Sequence, residues 1–180
     1  PREDQPVAME FLAAGCQVFS LHYSVAPETF PVALMELAKA VALVKSHACE
    51  WNIDTERIMV CGFSAGGHLA ACLGMMWNRD FLYGPLNMAP EDIQPKGMIL
   101  CYPVITSGEF GHKRSFEQLL GGKAGDPRLR ELVSLELQTG PHTPRTFLWH
   151  TWTDQSVPAE NSLLLAQALK KAGVSLEMHI

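Results

Sequence analysis

The sequence predicts an α/β fold: a doubly wound, mostly parallel sheet with helices on both faces, a three-layer αβα arrangement in a single domain over residues 1–180. Three observations carry this expectation. Short apolar runs alternate with longer segments whose apolar residues recur at helical spacing, as successive β-α-β units require. The short runs are apolar nearly throughout instead of alternating, which suits strands covered on two sides. Finally, 180 residues, 47% apolar and 18% charged, suffice for one real core and are short for two.

Residues 7–14 have helical spacing and stop at Gly15, where a left-handed C-cap is natural. Residues 17–21 read as a buried strand. Two prolines bound the loop at 26–31, and Pro31 suits the first turn of the next helix. That helix carries Leu34, Leu37, Ala38, Val41 and Val44 on one face and is expected to run to about Glu50. Residues 57–61 form a second strand, followed after a short turn by a small-residue helix over 65–77. Residues 78–95 are polar, with Pro85, Pro90 and Pro95, and are expected to cross the surface. A third strand covers 97–102. Residues 106–144 are irregular with short helices such as 115–120. A fourth strand follows at 145–150, a helix at 159–171 closed by Gly173, and a fifth strand at 174–180.

Composition excludes several function classes. Fourteen basic against nineteen acidic residues give a net charge of −5, and the basic groups are scattered, so nothing tracks a nucleic-acid backbone. Residues 59–78 lack formal charge over a length that raises a membrane-span question. Gly62, Gly66, Gly67, Gly74, Ser64, His68 and Asn78 answer it in the negative. The opening residues lack the basic start and apolar run of a signal peptide. Five cysteines with no C-x-x-C pair lie mostly in apolar runs and read as buried reduced thiols, which points to the cytoplasm. His22, His47, His112 and His142 show no ligand spacing, so neither a metal nor another cofactor is expected.

The chemistry concentrates at Gly62-Phe63-Ser64-Ala65-Gly66-Gly67, between the second strand and the small-residue helix. A G-x-S-x-G pattern arises by chance in roughly one chain in twenty of this length, and its strand-to-helix setting sets it apart from a plain tight turn. In a nucleophile elbow the serine occupies a strained turn while the flanking glycines leave room for it. Ser64 is the candidate nucleophile, and the backbone N–H of Ala65, at the helix start, is a candidate oxyanion donor.

The segments HYSVAPETFP (22–31) and CGFSAGGHLAA (61–71) resemble the α/β-hydrolase esterases, in particular the acetyl-esterase and feruloyl-esterase-like group related to hormone-sensitive lipase. The likeness continues through residues 101–110 and 147–174 and covers essentially the whole chain. It implies a Ser-Asp-His triad acting on ester substrates through an acyl-enzyme. Asp154, in Asp154-Gln155-Ser156-Val157-Pro158, matches the acid turn of that group. A carboxylate there holds the triad histidine in its working tautomer. Asp92 and Asp126 fit turns better.

The resemblance places the catalytic histidine several residues after the last strand, beyond Ile180, and makes His179 a strand residue. His68 reads as a packing residue and His150 as a strand-end histidine with an additional supporting role open to it. The glycine-rich oxyanion loop that precedes the first helix in this group is absent. The domain is therefore expected to be incomplete at both ends and nearly inactive as 180 residues, since one lost oxyanion donor costs about 10²- to 10³-fold. Loss of the histidine costs on the order of 10⁶-fold.

Tyr102, with Pro103 beside it, and Trp152, with Trp149, are candidate substrate-lining groups. The resemblance favours short acyl esters, notably acetyl groups on carbohydrate, as small-molecule substrates. A non-catalytic hydrolase-like binding module and a serine oligopeptidase stay open, because fold does not fix function. Homo-oligomer formation is also left open.

Overall fold

A computed structural model describes residues 3–180. Among these residues four strands form one parallel sheet in the order β1-β2-β3-β4: β1 (Met59–Phe63), β2 (Gly97–Cys101), β3 (Arg145–Trp149) and β4 (Leu176–His179). Parallel neighbours need crossovers, and α3 (Ser64–Met76) begins the first of them directly after β1. The register sets Phe63, Cys101, Trp149 and His179 in one row at the carboxyl ends of the strands. That edge is where the loops of an open parallel sheet build a site.

Helix α1 (Gln5–Ala13) precedes the sheet and α2 (Val32–Ser46) leads into it. After α3 come α4 (Asp80–Leu86), α5 (Pro90–Ile93), α6 (Lys113–Leu120), α7 (Pro127–Leu132) and α8 (Glu160–Lys171). The main core joins Leu34, Ala38 and Val41 of α2, Ala71, Leu73 and Met75 of α3, and Leu165 and Leu169 of α8 to Val60, Met98, Leu100 and Leu148 of the sheet. Helix α3 lies close enough to the sheet that a Cβ on Gly74 would stand 2.2 Å from Met98 Sδ. Helix cover of the sheet is uneven. Strand side chains alternate between faces, and the set opposite the core leaves Met59, Cys61 and Trp149 exposed and Ile99 and Phe147 half-buried. Helix α1 buries none of its residues.

A smaller cluster of Val104, Phe116, Leu120, Val133 and Val157 lies under the excursion between β2 and β3. It couples α6 and the residue after α7 to the turn that follows β3.

The parallel α/β layout and the helix-period segments agree with the expectation, with boundaries shifted by a few residues. Three expectations need correction. Residues 17–21 form no strand. The sheet begins at β1, which pairs only with β2, so no described strand offers this segment a ladder. Its side chains are used instead: Phe19 stacks on Trp51 with centroids 5.3 Å apart, and Gln17 Nε2 donates to the Trp51 carbonyl at 2.6 Å. Residues 78–95 cross the surface only in part, because α4 and α5 bury Leu82 and Ile93 in the main core. The cysteines are all free, but only Cys72 and Cys101 are buried, whereas Cys16, Cys49 and Cys61 are exposed.

Candidate active site

Ser64 is the first residue of α3 and has φ +51°. A non-glycine residue in this left-handed region carries strain of about 1–3 kcal/mol, which the surroundings must impose. Those surroundings are glycines used for space. A Cβ on Gly62 would stand 2.1 Å from the carbonyl oxygen of Gly66, and one on Gly67 would stand 2.9 Å from Pro103 Cβ. The Ser64 carbonyl accepts a hydrogen bond from Val104 N–H at 3.2 Å, which fastens the loop after β2 to the turn. Ala65, the next residue of α3, is exposed. Its N–H belongs to the first helical turn, where backbone donors have no partner four residues back and the helix dipole is positive.

Asp154 stands five residues beyond β3, in a turn closed by its own carboxylate. Its Oδ1 accepts from Ser156 N–H at 2.8 Å and from Val157 N–H at 2.9 Å. Among the described residues no hydrogen bond uses Oδ2, which lies 3.8 Å from His150 Nε2. Val157 is buried in the smaller core cluster, so one residue both anchors the turn in apolar packing and holds the carboxylate.

Aromatic side chains bridge the carboxyl edge between these two turns. The Tyr102 ring lies 5.9 Å from that of Phe63 and 5.7 Å, edge-on, from that of Trp149. Tyr102 also has positive φ, +37°, and its N–H donates to the Trp149 carbonyl at 2.6 Å. Desolvation, together with the hydrogen bond its hydroxyl donates to Glu3 Oε1 at 2.6 Å, holds its pKa above the ordinary tyrosine value. Trp152 is 66% exposed on the acid turn and makes no aromatic stack among the described residues. The structure thus joins Tyr102 and Trp149 to the edge beside Ser64 and leaves Trp152 as a free rim group.

The histidines divide clearly. His68 is buried one turn after Ser64, with Nε2 donating to the Val133 carbonyl at 2.9 Å and its ring edge-on to Phe116. Burial lowers its pKa to about 4, so it is a neutral tether between α3 and the excursion. His150 is 1% exposed and uses both ring nitrogens, on Ser162 Oγ at 2.6 Å and the Val157 carbonyl at 2.9 Å. His179 lies in β4 and binds Glu177 Oε1 at 2.9 Å. Among the described residues no hydrogen bond joins Ser64 Oγ to an imidazole. No group of three or more His, Cys, Asp or Glu residues there is arranged to hold a metal ion.

No sequence motif points to Asn161. It is fully buried at the start of α8 and satisfies all its polar capacity: Oδ1 accepts from Ile105 and Thr106 N–H, and Nδ2 donates to the Phe110 and Pro158 carbonyls. It ties the loop after β2 to the end of the acid turn. The available signal is a polar residue on the apolar stripe Asn161-Leu165-Leu169. A second clasp joins Ser107 and Ser134, whose hydroxyls are 2.8 Å apart, and the Arg130 guanidinium donates to the Ser107 carbonyl.

The neighbours of this chain share its layout. An acetyl ester-xyloside bifunctional hydrolase from Caldicellulosiruptor lactoaceticus superposes with TM-score 0.88 at 42% identity, covering 99% of this chain and 65% of that one. The carboxylesterase Cest-2923 from Lactobacillus plantarum gives TM-score 0.84 at 29% identity, covering 99% and 64%. In sequence, endo-1,4-β-xylanase B of Butyrivibrio fibrisolvens is 34% identical over 99% of this chain. An acetylxylan esterase of Xylanibacter ruminicola is 28% identical over 92%. The chain spans 28% and 33% of the length of these two curated relatives. The family model BD-FAE matches residues 2–169, a span containing both the Ser64 elbow and the Asp154 turn. With a parallel sheet, a strained serine at the start of α3 and that match over most of its length, the chain belongs to the BD-FAE family of α/β-hydrolases.

Proposed function

We propose that this chain carries the nucleophile and acid of a carboxylic ester hydrolase. The observation that supports this most is Ser64, held at φ +51° on the first residue of a helix at the carboxyl edge of a parallel sheet. In the proposed reaction Ser64 Oγ attacks an ester carbonyl and a histidine takes its proton. The alcohol departs, leaving an acyl-enzyme that water hydrolyses. The developing oxyanion lies at the first turn of α3, where Ala65 N–H donates. Asp154 orients the imidazole and stabilises the imidazolium that forms, through Oδ2, the oxygen that its own turn leaves open. The base is a histidine beyond Ile180, a reading supported by the engagement of His68, His150 and His179 elsewhere. No cofactor takes part.

Short acyl esters, acetyl groups on carbohydrate first among them, are the proposed small-molecule substrates. This rests on the acetyl ester-xyloside and acetylxylan activities named for two neighbours. Tyr102, packed against Trp149, and the exposed Trp152 are the proposed substrate-lining groups. We place the protein in the cytoplasm on its five free cysteines; no described helix is long and apolar enough to cross a membrane.

The test uses the complete gene product. A fluorophosphonate is expected to label Ser64, and Ser64→Ala is expected to lose hydrolysis of an aryl acetate by about 10⁶-fold in kcat. Hydrolysis by the variant at the parent rate overturns Ser64 as the nucleophile, and a parent protein that neither labels nor hydrolyses the ester overturns the reading in favour of a binding module. Faster cleavage of peptides than of aryl acetates overturns it in favour of a peptidase.

A further inference from the structure

We propose that His150 is the positioning residue of the acid turn, setting the place of Asp154 through the Val157 peptide. The inference rests on the assignment of Asp154 as the triad acid. Its basis is an unbroken chain of hydrogen bonds whose directions follow from the chemistry. A carbonyl oxygen only accepts, so His150 Nε2 carries a proton and donates it to the Val157 carbonyl at 2.9 Å. In the neutral ring Nδ1 is then the acceptor, and Ser162 Oγ–H donates to it at 2.6 Å. Across the same residue, Val157 N–H donates to Asp154 Oδ1 at 2.9 Å. Ser162, His150 and Val157 are all buried, at 0%, 1% and 2% exposure.

Both ends of this chain are anchored in rigid structure. Ser162 lies on α8. The backbone N–H of His150 donates to the His179 carbonyl at 2.9 Å, which fixes the main chain of His150 to the end of β4. Residues 151–156 are otherwise largely exposed, so the turn has little packing of its own beyond Val157. The imidazole therefore fills the space behind the turn and sets the height of the Val157 peptide, and through it the carboxylate. The same ring stands 3.8 Å from Asp154 Oδ2 without a hydrogen bond. That oxygen stays free for the triad histidine. Misplacement of a catalytic group by about 1 Å costs on the order of 10²-fold, which sets the scale of the effect.

The test is a mutant cycle in the complete gene product, read as kcat and KM for an aryl acetate with folding followed by circular dichroism. His150→Ala is expected to lower kcat about 30- to 100-fold with KM within twofold. His150→Gln, whose amide can still donate toward the Val157 carbonyl, is expected to recover most of that loss. In an Asp154→Ala background the His150→Ala change is expected to cost less than threefold more, because its target is gone. A folded His150→Ala protein with parental kcat overturns the proposal, as does an equal loss in both backgrounds, which marks a general structural role. If His150→Ala does not fold, Ser162→Ala decides: a fall in kcat of about fivefold at constant KM supports the proposal, and no change overturns it. Parental activity in Asp154→Ala alone removes the acid assignment itself and the proposal with it, whereas a crippled Asp154→Ala beside an unaffected His150→Ala removes only the role of His150.

Discussion

The turn that carries Ser64 and the turn that carries Asp154 follow two strands of one sheet, and they are held by different means. At Ser64 the backbone does the holding. Its φ of +51° is kept by a helix start, a carbonyl bonded to Val104, and glycines where a Cβ would stand 2.1 Å or 2.9 Å from neighbouring atoms. At Asp154 side chains do the holding: a carboxylate that caps its own turn, a buried valine and the Ser162-His150-Val157 chain. The comparison teaches that a backbone-built turn has no spare volume, whereas a turn built from hydrogen bonds tolerates any substitution that keeps the donors and acceptors.

The substitution with the largest expected effect on this contrast is Asp154→Asn. The amide oxygen can still accept from Ser156 and Val157 N–H, so the melting temperature is expected to stay within a few degrees of the parent. Meanwhile kcat falls by about 10⁴-fold, as when a triad acid is replaced by its amide. A large fall in melting temperature shows that the charge, and not the hydrogen-bond pattern, holds the acid turn.

Next comes Gly62→Ala, which adds one methyl group to the other turn. With only 2.1 Å available to the Gly66 backbone oxygen, the turn has to shift, and we expect a loss of about 3 kcal/mol in denaturant unfolding together with reduced fluorophosphonate labelling. Parental stability in this variant contradicts a turn without spare volume.

The smallest expected effect is of pH. The folded-state pKa of His68 is lowered to about 4 by burial, against about 6.5 in the unfolded chain. The unfolded state thus binds the proton more readily, so the contribution is complete above pH 6.5 and is lost as pH falls toward 4. At pH 5 the loss is about 2 kcal/mol. Because His68 tethers α3 to Val133, acid is expected to loosen the serine side first. Urea unfolding at pH 7 and pH 5, compared with His68→Gln, checks this: the variant should lose the difference between the two.

Much of the candidate site's geometry was legible because its signals are local. The elbow is a short run of small residues between a strand and a helix. The D-x-x-V-P spacing at Asp154 encodes its own turn, because a carboxylate reaches the N–H groups two and three residues on. His68 and His150, read as packing and strand-end residues, are both buried and bonded as such groups must be. The roles of Asn161 and the Ser107–Ser134–Arg130 clasp were not legible, since the contacts that define them, Asn161 to Ile105 and Ser107 to Ser134 and Arg130, span more than twenty residues.

By itself the sequence determined the alternation of strands and helices, the turn at Ser64 and the turn at Asp154, all of which depend on apolar period and on hydrogen bonds within a few residues. Only the tertiary structure decided that residues 17–21 have no strand partner, that α4 and α5 pack into the core, and that His150 reaches Asp154 through Val157. The physical reason is common to all three. Ladder pairing, burial and buried side-chain bonds depend on which distant segment arrives alongside, and an apolar run or a lone polar residue carries no label for its partner.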